Sequence, residues 1–421
     1  MNRFEEFVYG MVRHHPFAKK VTKRLYQGFF DLLPRESEFL AGKYDYKEGF
    51  FFGFHDISPF SVNETKILAC QIPFDGRMPQ RGESLSVGFF DFDNDIIGDF
   101  HKLADSGAWN FHKGCRLQWL DDDRVIFNTE KDGKLIAEII NITNLSKKIV
   151  GYPIDSIFVG NDKEIATSFC YERLNKCMPG YGYSITDGDS SGEYPKDTGL
   201  FLIDLNTGKR NLIVSLDLLA HKIGYRYLNG YIHFVTHTEF SKEGKYVSFL
   251  YRATPKGYEG KNMHKTWLVI HDLDTNRTFP LPTQESGSHY VWNNRNQILA
   301  SCIINGKNCH VLFSLDDIDD YRIIAGEKLN SDGHQSFVNS DIFVTDTYPD
   351  KRRMAKLYIV NTKNSDVRMI GSIFSPKKFQ TIDEYCHIAC DLHPRVSPSG
   401  RYLCFDSPRT GNRAMYLMKL L

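Results

Sequence analysis

The sequence predicts an all-β fold: a seven-bladed β-propeller with four-stranded blades, preceded by an amphipathic helical segment. Three observations lead to this prediction. From about residue 40 onward, short segments rich in Val, Ile, Phe and Tyr alternate with turns rich in Gly, Asn, Asp and Pro, as in strands joined by tight turns. A related unit recurs along this part of the chain at intervals of about 50 residues. Only the N-terminal segment has the spacing of a helix.

The N-terminal segment, residues 1–35, is the only part of the chain for which the sequence predicts a helix. Its apolar residues recur every three or four positions and share one face: Phe4, Phe7, Val8, Met11, Val12, Phe17, Val21, Leu25, Phe29 and Leu32. The opposite face is basic. Such a helix either covers the following domain or lies on an anionic membrane surface through residues 1–33. We expect the first arrangement, because most amphipathic helices cover their own core.

Residues 36–421 are predicted to form the propeller. Each unit has a polar residue, a large apolar residue three positions on in most copies, a turn and an apolar strand, and the units start at His55, Arg116, Asp155, His237, His289, His334 and His393. The last unit ends at its third strand, so residues near 36–50 are expected to supply the outer strand and close the ring. The insertion from Tyr171 to Thr198, rich in Gly, Ser, Asp and Tyr, is predicted to be a long loop over one face.

Composition narrows the possible partners. The chain has 421 residues, 41% of them hydrophobic, and 52 Lys+Arg balance 52 Asp+Glu. This balance leaves no basic field for a nucleic-acid backbone, so nucleic acid is not expected as a partner.

The cysteines indicate a reducing compartment. They number nine, are scattered through apolar runs and never occur as Cys-x-x-Cys. No stretch approaches the roughly 20 apolar residues of a transmembrane helix, and no signal peptide precedes the first unit. We therefore expect a soluble, cytoplasmic protein without a transmembrane segment.

The start of each unit is a candidate functional position. In a propeller the first strand of each blade lines the channel, so these residues form a ring, and five of the seven are histidines. Imidazoles beside Asp391, Asp56 and Asp155 offer the nitrogen and oxygen ligands that divalent transition metals prefer. The alternative is a structural one, in which each histidine only donates a hydrogen bond to a neighbouring strand.

Four units resemble blade starts of the oligogalacturonate lyase family, seven-bladed propellers with a manganese-type ion in the channel mouth. They are His237-Thr-Glu-Phe-Ser, Gly287-Ser-His-Tyr-Val-Trp, Asp332-Gly-His-Gln-Ser-Phe and Asp391-Leu-His-Pro-Arg-Val-Ser-Pro-Ser-Gly. The resemblance covers about 190 C-terminal residues by this count of blades. Asp391-Leu-His393-Pro stands where the family usually has His-Pro-His-Pro, and Ile388, beside His387, stands near the place of a family glutamine ligand.

The resemblance implies a metal-dependent lyase that cleaves a uronate-containing anionic oligosaccharide or polysaccharide by β-elimination. It implies that His237 is the base and that His289 and His393 are metal ligands, and we add Asp391 and His334 to the predicted ligand set. Mn²⁺ is the expected ion, with Zn²⁺ and Ni²⁺ as alternatives. A metal or a guanidinium bound to the uronate carboxylate would stabilise the charge that develops when a neutral histidine removes the C5 proton.

The family's catalytic arginine has three candidates here, Arg226, Arg116 and Arg252. We predict Arg226 and Arg116 as catalytic residues, and His55, Asp155 and Arg252 as substrate-binding residues. A second function from another class stays open. The chain could be a non-catalytic propeller that binds a glycan or a protein near a membrane that makes surface polysaccharide, with the basic helix as its anchor.

Overall fold

The computed structural model describes residues 28, 30–185, 188–189, 191–261, 263–381 and 387–420. Two short strands come first: β1 (Phe39–Leu40) and β2 (Tyr44–Glu48). The strands of blades 1 to 3 follow: β3 (Phe50–Phe51), β4 (Lys66–Gln71), β5 (Leu85–Asp93), β6 (Ile96–Ser106), β7 (Gln118–Trp119), β8 (Arg124–Lys131), β9 (Lys134–Asn141), β10 (Lys147–Val150), β11 (Ile157–Gly160), β12 (Lys163–Ser168), β13 (Gly199–Asp204) and β14 (Arg210–Ser215). Those of blades 4 to 7 are β15 (Tyr231–Phe240), β16 (Tyr246–Pro255), β17 (Lys265–Asp272), β18 (Arg277–Pro280), β19 (Tyr290–Trp292), β20 (Gln297–Ile304), β21 (Lys307–Ser314), β22 (Arg322–Ile324), β23 (Gln335–Asn339), β24 (Ile342–Asp346), β25 (Met354–Asn361), β26 (Val367–Phe374), β27 (Arg395–Val396), β28 (Tyr402–Ser407) and β29 (Ala414–Lys419).

These strands form seven antiparallel sheets, one for each blade, and confirm the predicted seven-bladed propeller. Six sheets have four strands, and the sheet of blade 6 has a fifth because β1 pairs with β26. The outer strand of blade 7 is β2, whose Tyr44 to Glu48 pair with Met418 to Ala414 of β29. Strands β1 and β2, from the N-terminal part of the chain, therefore pair with β26 and β29 of the last two blades and close the ring.

Two short helices depart from the sequence prediction, which placed no helix after residue 35. Helix α1 (Tyr171–Cys177) begins the predicted insertion loop, and α2 (Leu216–Lys222) follows blade 3; single 3₁₀ turns lie at Tyr225–Tyr227 and Lys377–Phe379. Ser215 caps α2 by accepting a hydrogen bond from the Leu218 amide at 3.1 Å. Each helix has only seven residues, too few for a helical period to stand out in the sequence.

The predicted N-terminal helix lies almost entirely outside the described residues, so its two docking alternatives stay predictions. Within the described part, the Asp31 carboxylate accepts a hydrogen bond from Arg353 Nε of blade 6 at 2.8 Å. Among the helices of the described ranges, none is long and apolar enough to cross a membrane.

The repeat position lies at the channel ends of the inner strands. The residues that fall one or two positions before the first strand of their blade are Arg116, Asp155, His289, His334 and His393. His237 lies inside β15 instead, at a bulge where φ is 52° and the register with β16 shifts between Thr236 and Thr238. Buried apolar residues between neighbouring blades, such as Trp292 and Phe249, hold these strand ends in place.

Candidate functional site

Five histidines converge at one end of the channel. Their rings surround Phe54, with centroid distances to the phenyl ring from 4.6 Å for His55 to 5.8 Å for His334. The same group includes His237 at 4.8 Å, His393 at 5.1 Å and His289 at 5.7 Å. All five side chains are buried. The structure therefore brings together the imidazoles of blades 1, 4, 5, 6 and 7.

One group within this region has the geometry of a metal site. The ligand atoms of His112, Asp391 and His393 all lie within 4.8 Å of one another, and His112 Nδ1 is 3.6 Å from Asp391 Oδ2. His393 Nε2 is buried and has no hydrogen-bond partner among the described residues. Two imidazoles and one carboxylate are a donor set that suits divalent transition ions, so these residues fit such an ion.

Hydrogen bonds between side chains and the backbone hold the segments that carry His393 and Asp391 in place. The amide of His393, which has a φ of 43°, donates to Asp346 Oδ2 at 3.1 Å. Arg413 Nη2 donates to the carbonyl of Ile388 at 2.8 Å and so holds the segment that precedes Asp391. The positions of these ligands are therefore fixed by partners on blades 6 and 7.

His289 and His334 are each paired with a carboxylate. His289 Nδ1 is 3.0 Å from Asp332 Oδ1, and His334 Nδ1 is 2.9 Å from both oxygens of Asp346. A carboxylate at Nδ1 orients an imidazole and leaves Nε2 as the acceptor or ligand atom. The two rings lie next to the metal-binding group, with His334 4.3 Å from His393 between centroids. Their predicted role as ligands stays a prediction.

His112 is a site residue that the sequence analysis missed. It lies in the turn Asn110–Gly114, and the Asn110 side chain fixes this turn by accepting hydrogen bonds from the amides of His112 and Lys113 at 3.0 and 2.7 Å. Its ring stacks on Tyr181 of the insertion at 4.7 Å with an interplanar angle of 7°. Because His112 does not occupy the repeat position, nothing in its spacing pointed to the channel.

His237 has the surroundings of a neutral base. Its Nδ1 lies 2.8 Å from Thr236 Oγ1, and its ring lies between Phe54 and Tyr181, at 4.8 and 5.6 Å between centroids. Burial, followed by the positive charges of Lys113 and Arg252, lowers the pKa of His237 well below its usual 6.5. The imidazole is therefore unprotonated at neutral pH, which is the form that accepts a proton.

Arg116 and Asp155 are joined in a buried ion cluster. Arg116 donates from both terminal nitrogens to Asp56 at 2.9 and 2.8 Å, and from Nε to the Asp155 carbonyl at 2.8 Å. Asp155 also binds Lys113 Nζ at 2.6 Å and the amide of Thr238 at 2.8 Å. The cluster therefore links blades 1 to 4. Nε and both terminal nitrogens of Arg116 are engaged by protein groups, and the catalytic role of Arg116 and the substrate-binding role of Asp155 stay predictions.

The other predicted residues lie in three different environments. The Arg226 side chain is 68% exposed on a 3₁₀ turn, where it lies 3.9 Å from Glu285, and it lines none of the cavities described here. Arg252 is buried on β16. His55 Nδ1 donates a hydrogen bond to the Gln335 carbonyl at 2.9 Å, while its buried Nε2 has no partner among the described residues.

Two cavities flank the histidine group. One, of about 380 Å³, is lined by His112, Asp391 and the two tyrosines Tyr181 and Tyr348. The other, of about 510 Å³, has Arg252 in its lining. Both volumes lie within the range of about 300–1,000 Å³ that is usual for small-molecule sites. Three residues with the donor set of a metal site, a neutral histidine and room for a ligand therefore occur at the same end of the channel.

A buried acid near His237 gives a testable electrostatic prediction. Glu239 Oε2 has no hydrogen-bond partner among the described residues, and burial raises the pKa of Glu239 from 4.5 to about 8. The folded protein thus keeps a proton that the unfolded chain loses above pH 4.5. This contribution to stability is complete below pH 4.5 and is lost as pH rises through about 8, at roughly 1.4 kcal/mol per pH unit. Glu239→Gln should abolish that decline.

Urea unfolding of the wild type and of Glu239→Gln at several pH values from 5 to 9 checks this prediction. The free energy of unfolding should fall with pH in the wild type more steeply than in the variant. Glu243→Gln, an exposed acid on the following turn, is the control and should follow the wild type. Parallel curves for the wild type and Glu239→Gln would show that this carboxyl does not keep its proton in the folded state.

Comparisons with known proteins identify the fold. No protein-family model and no curated protein matches the chain. Solved structures do match, among them an oligogalacturonate lyase in complex with manganese and an oligogalacturonate lyase from Vibrio parahaemolyticus. The chain shares their fold.

The two likenesses extend over nearly the whole molecule but are weak in sequence. Each has a TM-score of 0.59 and covers 92% of this chain and 99% of the lyase. Sequence identity is 13% to the manganese complex and 11% to the Vibrio protein. At such identity the comparison establishes a common seven-bladed architecture, while activity has to be argued from the site.

Proposed function

We propose that this protein is a metal-dependent lyase that cleaves uronate-containing oligosaccharides by β-elimination. The observation that carries the proposal is the juxtaposition at one channel end of a neutral, buried His237 with the group of His112, Asp391 and His393. The shared fold with a lyase that binds manganese supports it. No single one of these features would identify a reaction, but together they supply a base and a cation site.

The chemistry of elimination needs both parts. The C5 proton of a uronate is weakly acidic because it is adjacent to the carboxylate, and its removal places negative charge on that group. A bound divalent ion, Mn²⁺ in the first instance, would supply the positive charge that stabilises this carboxylate. In this chain His112, Asp391 and His393 would hold the ion, with His334 and His289 beside them.

His237 would accept the C5 proton. The electron pair of the C5–H bond then forms the C4–C5 double bond, the C4–O bond breaks, and the departing sugar oxygen takes a proton. Thr236 Oγ1 at Nδ1 orients the ring, so that Nε2 is the atom available to the substrate. Phe54 and Tyr181 pack near the ring, at 4.8 and 5.6 Å between centroids.

A spectroscopic screen tests the proposed function. The full-length protein, incubated with Mn²⁺ and a panel of uronate-containing oligosaccharides, should produce the ultraviolet absorbance of an unsaturated uronyl product from at least one of them. Neutral oligosaccharides of the same linkage are the control and should give no signal. Saturable binding of a uronate oligomer with no product under any metal condition would instead indicate a non-catalytic glycan-binding propeller.

A further inference from the structure

Arg252 is a buried cation without an anionic partner. Its side chain lies on β16 with only 9% of its surface exposed. Nη1 contacts the neutral sulfur of Met178 at 2.8 Å, and Nε has no partner among the described residues. In the part of the chain that the structure describes, no carboxylate oxygen forms an ion pair with it. Burial lowers the pKa of Arg252 to about 10, so the guanidinium remains charged at neutral pH.

Other buried arginines in this propeller have a carboxylate. Arg116 pairs with Asp56 at 2.8 Å, and Arg395 pairs with Asp406 at 3.1 Å. A buried charge is costly unless it is paired or hydrogen-bonded, because burial removes its hydration. The uncompensated state of Arg252 therefore indicates that its counter-charge comes from a ligand.

The surroundings of Arg252 form a cavity that could admit such a ligand. The cavity of about 510 Å³ is also lined by Lys265 and His264 at the start of β17, and by the hydroxyl-bearing Ser286 and Ser288. The lining has two acids, Asp332 and Glu285. Asp332 is engaged by His289 Nδ1 at 3.0 Å and Ser288 Oγ at 2.8 Å. Glu285 accepts a hydrogen bond from the Tyr227 hydroxyl at 2.7 Å and lies 3.6 Å from Lys265 Nζ. The Ser286 hydroxyl also has a partner, since it donates to the Thr283 carbonyl at 2.6 Å. Arg252 is therefore the cation of this lining that no described carboxylate engages, and a guanidinium suits a ligand carboxylate.

The cavity is also connected to the proposed base. Ser288 lines both this cavity and a small neighbouring one lined by His237 and His289. The positive charge of Arg252 is among the causes that lower the pKa of His237, which requires the two side chains to be near each other. A ligand held at Arg252 would therefore lie beside the residue that is proposed to remove a proton.

We propose that the cavity beside Arg252 is an anion-binding site that takes the carboxylate of an acidic sugar. The guanidinium would form the charge-assisted hydrogen bonds to that carboxylate. The assignment to a sugar acid rests on the proposed function, whereas the need for an anion rests on Arg252 alone. Arg226 and Arg116, by contrast, have no such requirement.

Equilibrium binding of glucuronate tests this site without depending on catalysis, because the monosaccharide has no glycosidic bond to break. Titration calorimetry or ligand-observed NMR at constant ionic strength should show that the full-length protein binds glucuronate, and that glucose does not bind. Sulfate should compete. Arg252→Gln should weaken glucuronate binding by at least about tenfold, as expected for loss of a charge-assisted pair, and Arg252→Lys should retain part of it.

The matched control is Arg277→Gln, an exposed arginine on the outer strand of the same blade, which should bind as the wild type does. If Arg252→Gln does not fold, Arg252→Lys and the rise in wild-type melting temperature with glucuronate over glucose provide the comparison. Equal binding by wild type and Arg252→Gln, or no binding and no stabilisation by glucuronate at 50 mM (about the upper limit of a useful titration), would overturn the assignment. Binding of sulfate alone would overturn the sugar acid.

The two proposals can fail separately. If glucuronate binds through Arg252 and no uronate oligomer is cleaved, the anion site stands and the lyase proposal is wrong. If oligomers are cleaved and Arg252→Gln changes neither KM nor glucuronate binding, the lyase proposal stands and this site is wrong.

Discussion

The His393→Ala variant should lose the bound divalent ion. Metal analysis of the purified protein, made without a histidine tag, should find about one divalent transition ion per chain in the wild type. His393 contributes a buried Nε2 that has no protein partner, so its removal takes away a ligand and not a structural hydrogen bond of that atom. Loss of groups that only orient a ligand already costs about 10–100-fold in affinity, so loss of the ligand itself should cost more.

The decisive comparison is with His112. Because His112, Asp391 and His393 have mutually close ligand atoms, His112→Ala should lose the ion as fully as His393→Ala does. Added Mn²⁺ should raise the melting temperature of the wild type and leave both variants unchanged. His101→Ala, which removes a surface histidine 2.6 Å from Asp91, is the control for a general effect of losing an imidazole.

Two outcomes would contradict this ligand set. Retention of the ion in His112→Ala, together with its loss in His289→Ala and His334→Ala, would favour the set predicted from the sequence. A metal-free wild type that stays folded and gains no stability from Mn²⁺, Zn²⁺ or Ni²⁺ would refute the metal site altogether.

The repeat pattern in the sequence was sufficient to predict the blades. Strand segments and turns alternate with a regular period, and five of the seven positions that start a unit lie one or two residues before the first strand of their blade. Such periodicity reports where a residue lies in the ring. It does not report what the residue contacts, because its partners come from other blades that are distant in sequence.

Arg116 and Asp155 illustrate this limit. Both occupy the same repeat position as the histidines; Arg116 was predicted as a candidate for the family's catalytic arginine and Asp155 as a substrate-binding residue. In the structure they pair with Asp56 of blade 1 and with Lys113 of the segment between blades 1 and 2. His112 illustrates the converse, since a turn outside the repeat positions its ring beside Asp391. Only the contacts that form on folding distinguish the surroundings of Arg116 and Asp155 from those of His112.

The arginines show the same dependence on packing. Arg226 and Arg252 are similar in sequence context, each in a segment rich in aromatic residues. One lies exposed on a 3₁₀ turn, and the other is buried on a strand beside a cavity. Arg252 is buried because its side of β16 faces the channel end. The register of β16 with β15 determines which side that is.

The insertion adds a further contact that its composition did not reveal. It was predicted as a loop over one face, and it does contain turns, but it also carries α1 and places Tyr181 on the ring of His112. Tyr181 lies near His237 as well, at 5.6 Å between ring centroids. One aromatic side chain thus packs on both the proposed metal-binding group and the proposed base.

The His237→Ala variant should lose activity while keeping its metal and its fold. Thr236 Oγ1 contacts a ring nitrogen of His237, and the Tyr290 hydroxyl donates a hydrogen bond to its backbone carbonyl. The substitution removes the first contact and keeps the second. Nε2 of His237 is not part of the metal-binding group. Removal of a general base costs roughly 10²–10⁴ in turnover, so kcat should fall by that factor on a confirmed uronate substrate.

A matched variant separates loss of the base from loss of packing. His264→Ala removes another histidine of blade 4, whose Nδ1 contacts Thr254 Oγ1 at 2.9 Å, and it should change turnover much less than His237→Ala does. Metal content and melting temperature of His237→Ala should stay near those of the wild type. If the ion is lost together with activity, His237 is a ligand; if turnover is unchanged, the proton is taken elsewhere in the histidine group, with His334 as the next residue to replace. The combination of retained metal, retained fold and lost turnover is specific to a base, because a ligand would lose the first and a structural residue the second.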